Sequence, residues 1–422
     1  MLLFEKGSTD LELRQKDLEQ GLLQALAGLG KKKKVLILPP DFTRSHSMAG
    51  ELTRTAYTHY QKAVSAIMPA TGTHPPMTPE ERSIMFKGIP AGLFYQHDWR
   101  NEVVHLGYVP SGYVEEVTGG RFPYAWPVQV NRILAHGGYD LVLSVGQVVP
   151  HEVTGMANYN KNVLIGIGGA ESIHASHFMG AVFGMERIMG RMDTPVRRVL
   201  NYAEKEFLKT IPLVYVLTVI ENRGTYGSVV RGLYIGDDDE CFKKAAELSA
   251  KVNITALDKP LSTVVVYLDP KKYKSAWLCN KSIYRTRMAL ADEGRLIVLA
   301  PGMHCFAEDP ELDTLIRKYG YNGTTKILRY VAENPDLKNN LAVAAHLIHG
   351  SSEGRFAIVY CPGFLTRHEM TSVNFSYESL ESMQEMYNPA ALHYGINILP
   401  SGEEVYYIDD PGMGLWTCKH SD

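Results

Sequence analysis

Short apolar runs alternate with amphipathic segments along most of the chain, and this alternation is the strongest constraint on its fold. Runs such as 35–40 (VLILPP) and 139–146 (YDLVLSVG) have the length and composition of buried strands. The segment 237–252 places apolar side chains on one side of a helix and acidic residues in its first turn. Strands and helices in alternation predict an α/β fold with mainly parallel sheets.

The same criteria predict the remaining elements. Further strands are predicted at 212–222, 262–269, 295–302 and 355–363, and helices at 50–67, 281–293, 309–319 and 380–394.

The chain is long enough for more than one hydrophobic core, since it has 422 residues. The pattern breaks at 256–260 (ALDKP) and then restarts with greater regularity. We therefore predict two α/β domains with an active-site cleft between them. Residues 1–258 form the predicted cofactor-binding and catalytic domain, residues 259–395 form a second α/β domain, and a tail at 396–422 is suggested to pack back on the first.

Composition narrows the classes of function. The formal net charge of -3 gives no basic surplus, which argues against nucleic acid as a partner. We find no apolar run long enough to span a membrane and no signal-peptide pattern at the start. The five cysteines are scattered without a CxxC pair, which is typical of reduced thiols. The expected location is the cytoplasm.

Two loops carry polar side chains suited to an anion. In 39–47 (PPDFTRSHS), Asp41 and Arg44 follow a strand, and the planar fork of arginine suits a carboxylate or phosphate. In 69–76 (PATGTHPP), hydroxyl groups and a flexible backbone precede a histidine held by prolines; these residues are Thr71, Gly72, Thr73 and His74. The alternatives are a turn with a surface arginine and an ordinary loop histidine.

The segment 150–177 concentrates groups capable of catalysis. His151 follows a strand, Lys161 comes next, and His174 and His177 lie beyond a glycine-rich turn. Histidine moves protons near neutral pH and binds metals, and lysine can act as a covalent nucleophile. The usual zinc patterns are absent. A metal held by one histidine would need its other ligands from outside the protein, and nickel or copper in a square-planar field suits this arrangement.

A lysine opens a predicted helix in the second half of the chain. Lys281, in 277–287 (WLCNKSIYRTR), occupies a first helical turn, where a cation is unfavourable for the helix. It therefore needs solvent or an anion.

Together these motifs resemble those of the nickel-dependent lactate racemase family, in the same order along most of the chain. The family's Asp-x-x-Arg motif matches 41–44, its Ala-Thr-Gly-Thr-His motif matches 70–74, and its Pro-His pair with a following lysine matches 150–161. The family's nickel-ligating histidine matches His177, and a helix-opening lysine matches Lys281.

The resemblance implies a racemase or epimerase that inverts the hydroxyl-bearing C2 of a 2-hydroxy acid by proton-coupled hydride transfer to a nickel-pincer nucleotide. It implies that His74 and His151 serve as acid–base residues on opposite faces of the substrate and that His177 is the nickel ligand. The covalent attachment point of the cofactor would be Lys161, with the Thr71–Gly72–Thr73 backbone in its binding site. The resemblance also implies that Asp41, Arg44 and Lys281 bind the substrate and that other proteins make the cofactor.

The chain departs from the family at two places. Residues 155–160 read GMANYN where the family has a Gly-Phe-Ser-Gly-Gly stretch, and Leu278 replaces a glutamine. If Asn158, Tyr159 and Asn160 face the substrate, their polar groups would suit a substrate larger than lactate, such as a sugar acid. The alternative is that they face away from the pocket.

Two other functions compete with this one. The histidines could serve a zinc-dependent hydrolase or lyase, although carboxylate and cysteine ligands at standard spacing are missing. The chain could also be a non-catalytic nucleotide- or nickel-binding protein, in which the pairing of His74 with His151 would have no purpose.

Overall fold

The computed structural model describes residues 1–223, 227–412 and 414–419, and it divides the chain into two compact units. The first unit comprises Met1–Phe183, Arg187–Glu221 and Ser228–Asn253, and the second contains the rest of the described chain. The main boundary thus lies at 253/254, near the break predicted from sequence. Within the described residues, no helix is both long and apolar enough to cross a membrane.

The first unit is built on a six-stranded sheet with helices packed around it. Its strands are β1 (Leu2–Gly7), β2 (Val35–Leu38), β3 (Val64–Ile67), β4 (Val103–Val109), β5 (Trp126–Asn131), β6 (Leu141–Gln147), β7 (Pro150–His151), β8 (Gly155–Met156), β9 (Leu213–Asn222) and β10 (Ser228–Gly236). Its helices are α1 (Gln15–Leu29), α2 (Ala49–Tyr60), α3 (Pro79–Met85), α4 (Ser111–Thr118), α5 (Arg132–His136), α6 (Asn160–Leu164), α7 (Ala170–Phe183), α8 (Pro195–Phe207) and α9 (Asp239–Asn253).

The order of strands in this sheet is β1-β10-β9-β6-β2-β3. Strands β3, β2, β6 and β9 are parallel neighbours in that order. The chain moves outward from β2 to β3 and then returns to the other side of β2 with β6, so the direction of winding reverses between β2 and β6. In open parallel sheets, ligands bind beyond the carboxyl ends of the strands at such a reversal. Strands β2 and β6 are wholly buried, as their continuous apolar sequences require.

The second unit repeats the α/β pattern. Its strands are β11 (Ile254–Leu257), β12 (Leu261–Tyr267), β13 (Leu290–Ala300), β14 (Ala357–Pro362), β15 (Ser376–Tyr377), β16 (Gly395–Ile398), β17 (Glu404–Ile408) and β18 (Leu415–Cys418). Its helices are α10 (Ala276–Cys279), α11 (Lys281–Thr286), α12 (Pro310–Tyr319), α13 (Thr324–Glu333), α14 (Pro335–Lys338), α15 (Leu341–His349), α16 (Arg367–Ser372) and α17 (Leu380–Met386).

The sheet of the second unit has the order β15-β14-β13-β12-β17-β16, and its pairs are parallel except β16 with β17. The suggestion that the tail at 396–422 packs back on the first domain is corrected here. Strand β17 pairs with β12, and β18 pairs with β11, so the tail completes the second unit. Apolar side chains of β17, such as Val405 and Tyr407, fill that unit's core. Residues 413 and 420–422 of this tail lie outside the described part.

The predicted mixed α/β fold with mainly parallel sheets is confirmed, but some predicted helices are too long. The predicted helix 50–67 ends at Tyr60, because Gln61 adopts a φ of 45°, and 64–67 is a strand. The predicted helix 281–293 ends at Thr286, and β13 begins at Leu290, where pairing with neighbouring strands overrides helix propensity. The predicted helix 380–394 ends at Met386, shortly before Pro389.

Candidate active site

The carboxyl ends of β2, β3 and β6 bring three sequence motifs to one edge of the first unit's sheet. Asp41 follows β2, the loop 71–74 follows β3, and His151 lies in the short hairpin β7–β8 that follows β6. Parallel strands end on the same side of a sheet, so motifs far apart in sequence meet there. A backbone hydrogen bond from Gly72 to the carbonyl of Gly166 (2.8 Å) joins the β3 loop to the glycine-rich turn.

A buried asparagine fixes helix α6 over these strand ends. The Nδ2 of Asn162 donates to the carbonyl of Leu38 (2.9 Å) and to Oγ of Ser144 (3.0 Å), the former at the end of β2 and the latter within β6. Lys161 precedes Asn162 in the same helix and is thereby held at the reversal point. Nothing in the sequence singled out Asn162, because its role depends on two strands that are distant along the chain.

Asp41 and His74 form a hydrogen-bonded pair. The Nδ1–H of His74 donates to Oδ2 of Asp41 at 2.6 Å, and Thr43 donates to the other carboxylate oxygen. Burial by itself raises the pKa of Asp41, but His74, Thr43 and Arg44 outweigh it and the pKa falls to about 2. Asp41 is therefore an anion that fixes the tautomer of His74: in the neutral ring the proton is on Nδ1 and the lone pair on Nε2. This contact indicates a role in orienting His74 rather than the substrate-binding role assigned from sequence.

His151 is held differently from His74. The backbone N–H of Val153 donates to its Nδ1 at 3.1 Å, so a neutral ring carries its proton on Nε2. That nitrogen lies 3.8 Å from Oε1 of Glu152. The two histidines thus present different atoms: a lone pair on Nε2 of His74 and an N–H on Nε2 of His151.

Lys161 lies among charged groups of both signs. Burial lowers its pKa to about 8, which the carboxylate of Glu152 offsets only in part and the nearby Arg44 reinforces. An appreciable fraction of the amine is therefore neutral near pH 7, as a nucleophilic lysine requires. Sequence reasoning missed Glu152, although its position directly after His151 was a usable signal.

The ring of His177 has one nitrogen, Nε2, that could bind a metal. Its Nδ1–H donates to the carbonyl of Ile173 one turn earlier in α7, at 2.7 Å. Burial lowers the pKa of His177, and Lys161 reinforces this, so the ring is neutral at pH 7 with its lone pair on Nε2. A ligand histidine with its other nitrogen hydrogen-bonded to a carbonyl is the usual arrangement at metal sites. His177 also interacts electrostatically with Glu152 and His74, which places it in the same group of residues.

The backbone of the β3 loop is open to a ligand at Gly72. Its φ is +56°, and a side chain built there would meet only the carbonyl of Ile165, at 3.9 Å. Thr71, beside it, is buried, and Thr73 is partly exposed. The open space beside Gly72, flanked by two hydroxyl-bearing residues, suits a polar or anionic group.

The three polar residues before Lys161 have partners inside the unit. The ring of Tyr159 stacks on Phe242 with centroids 5.0 Å apart. The Nδ2 of Asn160 donates to Asn201 and Glu204 on α8, at 2.7 and 2.9 Å. Oδ1 of Asn158 accepts from its neighbour's backbone N–H. These contacts within the unit favour the alternative that the three side chains face away from the substrate pocket.

Lys281 and Leu278 belong to the second unit. Lys281 is the first residue of α11, as the sequence predicted, and Leu278 lies in α10. Asn280 between them is buried and accepts a hydrogen bond from the hydroxyl of Tyr360 at 2.6 Å. This contact anchors the junction between the two helices.

A second histidine of the first unit fixes the glycine-rich turn and gives a pH prediction. His97 donates from Nε2 to the carbonyl of Gly168, and Asn131 donates to its Nδ1, both at 3.0 Å. Burial lowers the pKa of His97 from 6.5 to about 4, because the charged ring would lose its hydration. The unfolded chain therefore binds this proton at higher pH than the folded chain. Stability should fall by about 3 kcal/mol as the pH drops from 7 to 4.

Urea unfolding of wild type and His97→Gln at both pH values measures this contribution. The glutamine variant should be less stable at pH 7 but should lose less stability on acidification. Replacement of the exposed His59 by glutamine provides the control. An unchanged pH dependence in His97→Gln would show that another group is responsible.

Comparison with known proteins finds similarity to lactate racemases. Residues 23–188 match the lactate racemase N-terminal domain family. A lactate racemase from Thermoanaerobacterium thermosaccharolyticum is 23% identical over 320 residues, covering 71% of this chain and 69% of that protein. The crystal structure of a Thermotoga maritima protein superposes with a TM-score of 0.82 at 26% identity, covering 97% of this chain and all of that one.

The apoprotein of the Thermoanaerobacterium lactate racemase has the same fold. It superposes with a TM-score of 0.69 at 16% identity and covers 96% of this chain and 93% of its own. The matched N-terminal segment contains the loops after β2, β3 and β6 together with helices α6 and α7. Residues 23–188 are therefore similar to the N-terminal domain of lactate racemases, and the described chain has the fold of a lactate racemase apoprotein.

Proposed function

We propose that this protein is a racemase or epimerase that inverts the hydroxyl-bearing C2 of a 2-hydroxy acid. The observation that carries the proposal is the Asp41–His74 pair (2.6 Å) in one neighbourhood with Lys161 and a metal-competent His177. A base oriented by a carboxylate is the standard device for taking a proton from a hydroxyl group. The name of the curated relative, lactate racemase, agrees in reaction class.

The residues present fit a nickel-pincer nucleotide. His177 would supply one imidazole nitrogen to nickel, and the Lys161 amine would carry the covalent attachment. The open backbone at Gly72, with Thr71 and Thr73, would contact the polar part of the nucleotide. When bound, this cofactor supplies a site that takes the C2 hydride and returns it. Cofactor-making proteins are the implied partners.

The protein's own part of the reaction is the movement of a proton and the orientation of the substrate. His74, with its Nε2 lone pair, takes the proton of the 2-hydroxyl on one face. His151, with its Nε2–H, faces the 2-oxygen from the other side, and the roles exchange in the reverse direction. Both directions need such a pair, because inversion requires attack on opposite faces. Arg44, which interacts electrostatically with Asp41 and Lys161, would hold the substrate carboxylate, and Lys281 is proposed from the family resemblance as a second substrate-binding residue.

A zinc-dependent hydrolase or lyase remains the alternative function. Among the described residues, no three histidine, cysteine or acidic side chains are arranged to hold a metal ion. The alternative needs such a set, whereas a cofactor-bound nickel needs one histidine. None of the five cysteines, all of which lie in the described part of the chain, forms a disulfide, in keeping with the proposed cytoplasmic location.

The test uses protein co-expressed with the cofactor-making proteins. Metal analysis should find nickel, intact mass should show an adduct on Lys161, and chiral chromatography should show one enantiomer of a 2-hydroxy acid converted to a racemic mixture. Zinc without an adduct, combined with hydrolytic or lyase activity, would instead establish the alternative.

The substrate is proposed to be larger than lactate, with Leu278 as the remaining argument. Leucine cannot form the hydrogen bonds of the glutamine found at this position in the family. A substrate group that the glutamine would pair is then left unpaired, which lowers kcat/KM for the substrate that carries it. We expect lactate to be a poorer substrate than a four- to six-carbon hydroxy acid such as a sugar acid, by about tenfold or more in kcat/KM.

Comparison of kcat/KM for lactate, a sugar acid and an aromatic 2-hydroxy acid measures this preference. Leu278→Gln should shift it toward lactate, and Leu328→Gln, at a partly exposed position of α13, is the matched control. Preference for the aromatic acid would indicate an apolar side-chain pocket, and preference for lactate would refute the size argument.

A further inference from the structure

The turn that leads into Lys161 has a backbone conformation that its residues do not favour. Asn158 and Tyr159 both have positive φ values, 62° and 59°, and Tyr159 has a ψ of -137°. Side-chain-bearing residues rarely adopt this conformation, and each instance costs about 1–3 kcal/mol. Something in the surrounding structure must therefore hold the turn in place.

The buried guanidinium of Arg197 on α8 holds this turn. It donates to the carbonyl of Met156 at 2.7 Å, more weakly to the carbonyl of Asn158 at 3.3 Å, and to Oδ1 of Asn160. Arg197 is only 2% exposed, and its guanidinium lies 4.4 Å from the ring centroid of Phe242. All three acceptors come from the five residues immediately before Lys161.

Further contacts extend this support on both sides of the turn. Asn160 donates to Asn201 and Glu204, and the hydroxyl of Tyr215 donates to Glu204 at 2.6 Å. The ring of Tyr159 packs between Tyr215 and Phe242, with centroids 4.3 and 5.0 Å away. Burying an arginine that no carboxylate directly binds costs free energy of desolvation. The oxygens of the turn that Arg197 binds offset this cost.

We propose that Arg197 is a positioning residue for Lys161: it clamps the strained turn 156–160 so that α6 begins with the amine directed into the active site. The inference rests on the proposed function, in which Lys161 carries the cofactor. It also explains how this chain does without the glycines of the family's corresponding stretch, since side-chain contacts stabilise a turn that glycine would adopt freely.

The test compares Arg197→Met and Arg197→Lys with Arg198→Met, in which an exposed neighbouring arginine is changed. Amide hydrogen exchange of the apoprotein should become at least about tenfold faster at 156–164 in Arg197→Met and stay unchanged elsewhere. After co-expression with the cofactor-making proteins, the fraction carrying the Lys161 adduct should fall by about tenfold or more, as for other residues that orient ligands. Arg197→Lys should restore part of both properties, and Arg198→Met should match wild type.

The outcomes separate this inference from the proposed function. Wild-type exchange and adduct formation in Arg197→Met would overturn the inference. A general increase in exchange across the unit would also overturn it, because it would show a merely structural role. If Arg197→Met does not fold, Asn160→Ala removes one acceptor of the guanidinium and should give the same local pattern. If wild type itself carries no adduct, the proposed function fails, and the exchange data alone still decide the clamp.

Discussion

Replacement of His177 by alanine is expected to reduce the nickel content of cofactor-loaded protein to about a tenth or less of the wild-type value. In the proposed function the protein gives the metal one imidazole nitrogen, Nε2 of His177, because Nδ1–H is bonded to the carbonyl of Ile173. The other histidine of this helix, His174, packs against Trp99 instead, with ring centroids 6.0 Å apart. Metal analysis of the purified protein measures the loss.

Two further variants make this result specific. His174→Ala, on the same helix, should keep its nickel. Lys161→Ala should lose the covalent adduct in intact mass while retaining more nickel than His177→Ala, since the metal bond remains. A normal nickel content in His177→Ala would contradict the assignment of the metal ligand.

Asp41→Asn is expected to lower kcat for racemisation by about 10²–10⁴-fold with little change in KM. The asparagine amide can donate to Nδ1 of His74, which moves the ring proton to Nε2 and removes the lone pair needed for proton abstraction. His74→Gln should cost at least as much, because the base itself is lost. Steady-state kinetics in both directions provide the measurement.

The division of the effect between kcat and KM separates two roles for Asp41. A residue that binds substrate would raise KM and leave kcat largely intact. Asp140→Asn is the matched control, since Asp140 lies at the amino edge of β6 in the same sheet and accepts backbone N–H bonds from Lys33 and Lys34. A kcat for Asp41→Asn near that of wild type would disprove the orienting role.

The sequence by itself determined the fold class, and it predicted a division into two domains and a set of motif residues. Apolar runs such as 35–38 and 141–147 can be buried only inside a sheet with layers on both faces, so the α/β fold follows from local pattern. Asp41 and His151 were singled out because each follows a predicted strand, whereas His74 was singled out by its motif of hydroxyl-bearing residues, glycine and prolines.

Only the tertiary structure decided what these residues contact. The bond between Asp41 and His74 joins loops after two different strands, and the Asn162 contacts join α6 to β2 and β6. The inward orientation of Tyr159 depends on a positive φ, which no local pattern predicts for a tyrosine. Likewise, β13 and the tail strands form where they do because neighbouring strands pair with them. Long-range pairing and burial set these features, so they become visible only when the distant segments are brought together.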